Sequence, residues 1–363
     1  MKKNKFVMQL TILLFISIIM SFLIIHSSLE IYSQGEDNTD NYQDLYTKYL
    51  KENMKKLFKD EDKTQNTIPS QLNSGNKIAF VMPTFTVGAY NYDTYNSFYT
   101  FFKKYASVRD ENQFVTKDLN LLTVNVPSLT DALNSYKYNG LEYLAYRISS
   151  LSQNIETTFL TDTDVHNGLV FDNNHQNIYD VIIIGHQEYV TKQEYYNFKK
   201  FVENGGILIL LNSNMFYAEV AYNPTDNTVS LVQGHRWAFD GKKAWPSVNE
   251  RWQNETSEWV GSNFFNCGSD CNVDFKNNPF SYLKHEEQYI TNPKVNILID
   301  YQTQIDYKSN YQPLHNIRIA AYELDYGKGK VISFGIFGDD IILNKEFLRF
   351  FDELLFSHVG SAS

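Results

Sequence analysis

His186, Glu188, Tyr189, Asn214 and Tyr217 combine an imidazole, a carboxylate, two phenols and a carboxamide within 32 residues of one another. Their spacing gathers them at the end of two strands. Val181–Ile184 is a continuous apolar, β-branched run, too short for a helix and suited to a strand covered on both faces. It stops at Gly185, so His186, Gln187, Glu188 and Tyr189 follow at its carboxyl end. Ile207–Leu211 is a second run of the same kind, closed by Asn212-Ser213-Asn214. In open α/β sheets ligands bind beyond the carboxyl ends of the strands, which predicts one crevice for all five side chains. The alternative is that they are polar loop residues marking strand ends.

Thr191 with Glu194 three residues on has capping-box spacing and predicts a helix start. Tyr195, Phe198, Phe201 and Val202 recur at helical spacing, and Gly205-Gly206 ends the helix where left-handed backbone is cheap for glycine. Asp180–Tyr217 is therefore one βαβ unit, around which the rest of the chain is arranged.

Upstream, Lys77–Val81 reads as the first strand, Phe85–Tyr92 as a loop and Tyr95–Tyr105 as a helix. Leu121–Val126 reads as another strand, Gly140–Leu151 as a helix packed on the sheet, and Thr157–Leu160 as a short strand. Beyond Tyr217 the pattern turns to Gly, Asn and Trp, and residues 221–315 are expected to form an irregular insertion. Val295–Asp300 and Arg318–Leu324 look like antiparallel additions; Gly327–Gly329 is a tight turn into Val331–Gly335, and Asn344–Phe356 is a closing amphipathic helix. The element order gives an α/β class with an open, mostly parallel sheet flanked by helices over residues 77–357.

The 363 residues carry a formal charge of −10, and no basic stripe follows the first residues, which argues against nucleic acid as a partner. Lys2, Lys3 and Lys5 precede an apolar run from Phe6 to Ile25. Twenty helical residues at ~1.5 Å each cover a bilayer core of roughly 30 Å. By the positive-inside rule, residues 1–28 form a single-pass anchor with the remainder outside the cytoplasm at the cell membrane. A cleaved signal peptide, which would make the protein secreted, is the rival reading, and a buried core helix a third. Residues 29–76 read as a polar stalk or linker, with a helix docked on the domain as the other reading. Cys267 and Cys271 in CGSDC are the only cysteines. In an exported domain they are expected to pair as a disulfide.

Several segments in order resemble the C-terminal domain of the N,N-dimethylformamidase large (beta) subunit. PTFTVGAYN at Pro83–Asn91 looks like that family's Pro-Thr-x-Thr-x-x-Ala-Tyr-Asn, with Ser97 and Tyr99 matching its next Ser-x-Tyr. TDTDVHNG at Thr161–Gly168 resembles Thr-Asp-x-Asp-Leu-His, GHQEYVT resembles Gly/Ser-His-x-Glu-Tyr-Trp-Ser, and SNMFY resembles Gly-Asn-x-x-Tyr-Trp. The resemblance implies a class I glutamine amidotransferase-like fold and amide hydrolysis assisted by one iron held by two tyrosines and a glutamate. Hard oxygen ligands suit a ferric ion.

Carried over by motif, Tyr90 and Glu188 would be metal ligands, His186 a proton-transfer group and Asn214 a donor to an oxyanion. Glu323, before the GKGK turn, is a looser match to a catalytic glutamate. The chain departs from the family where the second tyrosine belongs: Val126-Pro127-Ser128 places a serine there, with Tyr136 or Tyr138 as substitutes. Val190 and Ala218 replace two family tryptophans. The expected activity is hydrolysis of a small amide. The competing expectation is a non-catalytic binding or envelope-scaffold domain with a degenerate metal site, and glycan hydrolysis by paired carboxylates is a third.

Overall fold

A computed structural model of the chain describes residues 75–90, 98, 123–133, 139–151, 155–234, 237–239, 244–245, 251–266, 287–300, 319–335 and 345–359. Along the chain run β1 (Asn76–Met82), α1 (Thr84–Tyr90), β2 (Thr123–Asn125), α2 (Leu129–Leu133), α3 (Asn139–Leu151), β3 (Ile155–Thr161), α4 (Asp162–His166), β4 (Val181–Ile184), β5 (Tyr189–Thr191), α5 (Lys192–Glu203) and β6 (Ile207–Leu210). There follow β7 (Ala218–Asn223), β8 (Thr228–Gly234), β9 (Trp237–Phe239), β10 (Ala244–Trp245), α6 (Gln253–Trp259), β11 (Ser262–Asn266), β12 (Glu287–Ile290), β13 (Asn296–Asp300), β14 (Ile319–Tyr326), β15 (Gly329–Phe334) and α7 (Lys345–Val359). The predicted membrane segment, the stalk apart from its last two residues, the Tyr95–Tyr105 helix apart from Phe98, and the cysteine pair lie outside the described residues. Among the described residues, no helix is long and apolar enough to cross a membrane.

The main sheet has seven strands in the order β13-β14-β15-β6-β4-β1-β3. β15, β6, β4, β1 and β3 pair in parallel, while β14 runs antiparallel to both β15 and β13. Val181, Ile182, Ile183 and Ile184 are all fully buried, as expected of a central parallel strand covered on both faces. On one face Ala79, Val81, Ile182, Ile184, Leu208 and Leu210 pack against Tyr195, Phe198, Phe201 and Val202 of α5. Strand alternation turns Phe80, Ile183 and Ile209 to the other face, where Phe334 meets Phe347 and Phe351 of α7. The capping box at Thr191 and Glu194 is present as the spacing predicts, and Gly205 follows α5 at φ +112°.

Trp252 and Trp259 of the α6 segment close the α5 side around Tyr195. Its ring stacks on Trp252 with centroids 4.3 Å apart, and its hydroxyl oxygen accepts the Trp259 indole N–H at 2.8 Å. Burial raises the Tyr195 hydroxyl above its ordinary pKa, so it stays protonated. Tyr195→Phe strands a buried indole donor. The expected loss is about 1–3 kcal/mol, read as a lower urea midpoint at unchanged m-value.

Two expectations are corrected. Phe85–Tyr92 was expected to be a loop, yet Thr84–Tyr90 is helical. The helix start is held by a distant residue: the Phe85 N–H donates to Asp162 Oδ2 at 2.6 Å, across a separation of 77 residues. The segment 221–315 was expected to be irregular, yet it contributes strands to a second, six-stranded sheet in the order β10-β9-β8-β7-β5, with β2 on β8. A hairpin joins β7 to β8, with the Thr225 N–H bonded to Asn223 Oδ1 at 3.0 Å and Asn227 at φ +50°. The strand expected at Leu121–Val126 forms over Thr123–Asn125 but belongs to this second sheet. Phe85, Ala89 and Phe98 pack with Val124, Val220, Val229 and Leu231, which sets α1 on that sheet.

Candidate active site

Gly185 ends β4 under α3, where a Cβ would come 2.7 Å from Leu141 Cδ1, so a side chain there would push the Leu141 side chain aside. The loop 185–188 then crosses from β4 in the main sheet to β5 in the second. It is tied to the loop after β6 by backbone bonds from Phe216 N–H to Gln187 O at 2.8 Å and from Ala218 N–H to Glu188 O at 2.9 Å. Phe216 sits at φ +58° to make this turn. Asn214 is fixed by its own N–H donating to Asn212 Oδ1 at 3.0 Å. These local bonds set His186, Glu188 and Asn214 at the carboxyl ends of neighbouring strands.

Tyr90, at the end of α1, donates its hydroxyl to Glu188 Oε2. His186 Nε2 lies 3.0 Å from the same oxygen, and Asn214 Nδ2 lies 3.3 Å from His186 Nε2. The Tyr90 and His186 ring centroids are 5.6 Å apart. Glu188 is fully buried, His186 and Asn214 are nearly so, and Tyr90 is half-buried. One nitrogen, Nε2, faces both a carboxylate and a carboxamide N–H. With a proton it donates to Glu188; without one it accepts from Asn214. The group therefore has a defined partner in either protonation state, which suits a proton-transfer role.

Of the predicted residues, Tyr90, His186, Glu188 and Asn214 converge. Tyr189 is buried in the cluster that joins α1 to the second sheet, its N–H donating to Thr86 Oγ1 at 3.1 Å. Glu323 stands apart. Its register partner on β15 is Ile332, which pairs with Ile209 and through it with Ile183, placing Glu323 three strands, or about 14 Å, across the sheet from β4. Burial alone would raise its carboxyl, but bonds from Asn296 and Lys330 hold it below the usual range. His358 Nε2 also lies 3.2 Å from it. It is an ion-pair anchor for the edge of the sheet, and the catalytic role expected of it lacks support in its surroundings.

Ser128, at the position expected for a second tyrosine, is exposed. Its hydroxyl accepts the Asp131 N–H at 3.1 Å and donates to Asp131 Oδ2 at 2.7 Å, which makes it the start of α2. Tyr136 and Tyr138 lie outside the described residues. Among the described residues no three His, Cys, Asp or Glu side chains form a metal-holding group. The donors that do converge are two hard oxygens, from Tyr90 and Glu188, and the His186 imidazole beside them. Two ligands of one ion lie about 3 Å apart, so a phenol and a carboxylate already in hydrogen-bonding contact match a shared first shell. The set offers a hard cation two protein oxygens.

A family model described as N,N-dimethylformamidase beta subunit-like, C-terminal, matches residues 54–293, about two thirds of the chain. The chain belongs to this family. Within the dimethylformamidase beta-subunit-like segment lie all four converging residues, while Glu323 falls outside it. No curated protein matches the sequence. Solved structures align more distantly. Gan42B, a GH42 beta-galactosidase from G. stearothermophilus, is 15% identical with a TM-score of 0.39, covering 78% of this chain and 30% of that one. A beta-galactosidase from Bacillus circulans sp. alkalophilus is 13% identical with a TM-score of 0.33, covering 76% of this chain and 31% of that one. A cytoplasmic protein from Salmonella typhimurium LT2 is 12% identical with a TM-score of 0.33, covering 61% of this chain and 86% of that one. The chain thus spans about a third of each of these two galactosidases, and likeness at these scores carries nothing about activity.

Asp162 is the residue to which the sequence reasoning assigned no role. It lies inside the TDTDVH stretch, and its side chain reaches α1 and Gln187 rather than the crevice itself. An acidic residue directly after a strand, with Thr161 and Asp164 already forming the local capping box, was the available signal, since it left this carboxylate without a local partner.

Proposed function

We propose that this chain carries a metal-assisted amidohydrolase site for a small amide, in a class I glutamine amidotransferase-like domain held outside the cytoplasm by residues 1–28. The observation that supports the activity is the convergence of Tyr90, His186 and Asn214 on the buried Glu188. The parallel order β15-β6-β4-β1-β3, with the site at the carboxyl ends of β4 and β6, supports the fold assignment. Tyr90 and Glu188 would hold a ferric ion, which when bound polarises an amide carbonyl and lowers the pKa of water. His186 takes a proton at Nε2 during attack and returns it to the leaving amine. Asn214 donates from Nδ2 to the oxyanion that develops on the carbonyl oxygen. The buried surroundings of Glu188 exclude bulk water and strengthen these contacts.

Adding ferric iron to the full chain is expected to give a visible phenolate-to-iron charge-transfer band together with formamide hydrolysis, and Glu188→Gln is expected to remove both while leaving the thermal midpoint nearly unchanged. Colourless protein without amidase activity after iron loading would end this reading. The second reading, a binding or envelope-scaffold domain without catalysis, is favoured by Ser128, whose hydroxyl is engaged in starting α2 where a tyrosine ligand was expected.

A further inference from the structure

Beneath the crevice lie two carboxyl groups that the proposed chemistry does not use. Asp162 at the start of α4 and Glu194 in the first turn of α5 are both fully buried, and the charge on Asp162 bears directly on Glu194. Two interacting carboxyls buried this deeply cannot both ionise; one must carry a proton. The surrounding donors say which. Asp162 receives the Phe85 N–H at 2.6 Å and the Thr84 hydroxyl at 3.5 Å on Oδ2, and the Gln187 Nε2 amide at 3.5 Å on Oδ1. Glu194 receives only the Thr191 N–H, at 3.2 Å on Oε2, and its Oε1 has no donor.

The titratable groups on the elements packed here are engaged elsewhere or point away. Asp164 binds Thr161, His166 binds Thr191, Tyr90 and His186 bind Glu188, Glu219 binds Arg251, and Lys192 is exposed at the outer surface. None of them is a partner of either carboxyl.

We propose that Asp162 and Glu194 form an acid pair holding one proton, on Glu194 Oε1, and that the resulting Asp162 carboxylate is a positioning residue for the crevice. It fastens the first turn of α1, which carries Tyr90, to Gln187, the neighbour of Glu188. Gln187 is braced from its other side, its Nε2 amide also donating to Val81 O at 2.9 Å. One buried anion thereby fixes the two chain segments that must meet for the Tyr90–Glu188 contact. This inference deepens the proposed site, but its test reads folding rather than hydrolysis.

Burial raises both carboxyls, and the Asp162 charge raises Glu194 further. Folding therefore takes up protons in the range where the unfolded groups are ionised. The pair's contribution to stability is full below the ordinary carboxylate range near pH 4 and is lost as pH rises through the raised folded values. Glu194→Gln keeps a donor, Nε2, facing Asp162 at every pH. The thermal midpoint of that variant relative to the parent is expected to climb by about 5 °C between pH 5 and 9, measured on the full chain without iron. Exchange protection of residues 84–90, corrected for intrinsic rate, is expected to fall with pH in the parent and hold in the variant. A midpoint difference that is constant across pH, or equal pH dependence of protection in both proteins, would overturn the proposal. Neither result bears on whether formamide is a substrate, so the two readings fail separately.

Discussion

His186→Ala is expected to lower formamide turnover by about 10²–10⁴-fold while iron content and the visible band persist, because the variant keeps both oxygen ligands and loses the group that moves the proton. The argument rests on Nε2, which sits 3.0 Å from Glu188 Oε2 and 3.3 Å from Asn214 Nδ2. Removing the ring leaves Tyr90 still donating to Glu188, so the oxygen pair should survive. It also leaves a space lined by a carboxylate and a carboxamide, into which free imidazole can diffuse. Partial recovery of turnover with added imidazole, at unchanged metal content, would assign the loss to proton transfer. Unchanged turnover would remove His186 from the chemistry. Loss of iron together with activity would make it a ligand instead.

Gly329→Ala is expected to destabilise the domain by about 3 kcal/mol or more, among the largest effects of any single methyl group here. Gly329 opens β15, directly against the end of α5. A Cβ there would lie 2.2 Å from Gly206 O and 2.4 Å from Val202 O, both backbone atoms that no rotamer change can move. The neighbouring bonds from Lys328 N–H to Glu203 O and from Lys330 N–H to Gly206 O, each 3.2 Å, seat the β14–β15 hairpin on that helix end. The substitution must break one of these bonds or displace β15 from β6. Equilibrium urea unfolding gives the measure; a loss below about 1 kcal/mol would show that the hairpin yields more easily than the contacts imply.

The parts of the fold legible in the sequence were those whose signals are local. The β4, α5 and β6 unit announced itself through an uninterrupted apolar run, a capping box three residues apart and a helical stripe, all within Asp180–Tyr217. The convergence of His186, Glu188 and Asn214 followed from the rule about strand ends. Tyr90 came only through the family motif, because its helix starts on a hydrogen bond donated by Phe85 to a residue 77 positions away. The second sheet was hidden for a related reason. Its strands are as short as Ala244–Trp245 and Tyr189–Thr191, and β5 gains its strand character only by pairing with β7. Glu323 matched a motif by its place before a turn, but a turn says nothing about where in the sheet its strand lies.

The three residues of β5 have a consequence for how such a site can diversify. Glu188 immediately precedes them, so the segment that carries it is tied to the main sheet through β4 on one side and to the second sheet through β5 on the other. Changes in β2, β7 or β8, whose Val124, Val220, Val229 and Leu231 form the cluster that Tyr90 packs against, would alter the surroundings of Tyr90 without touching the β4 and β6 floor that fixes His186, Glu188 and Asn214. A library built to vary the proposed site should therefore be drawn from β2, β7 and β8 and leave the floor untouched, a division of labour between an inheritable platform and an exchangeable flank.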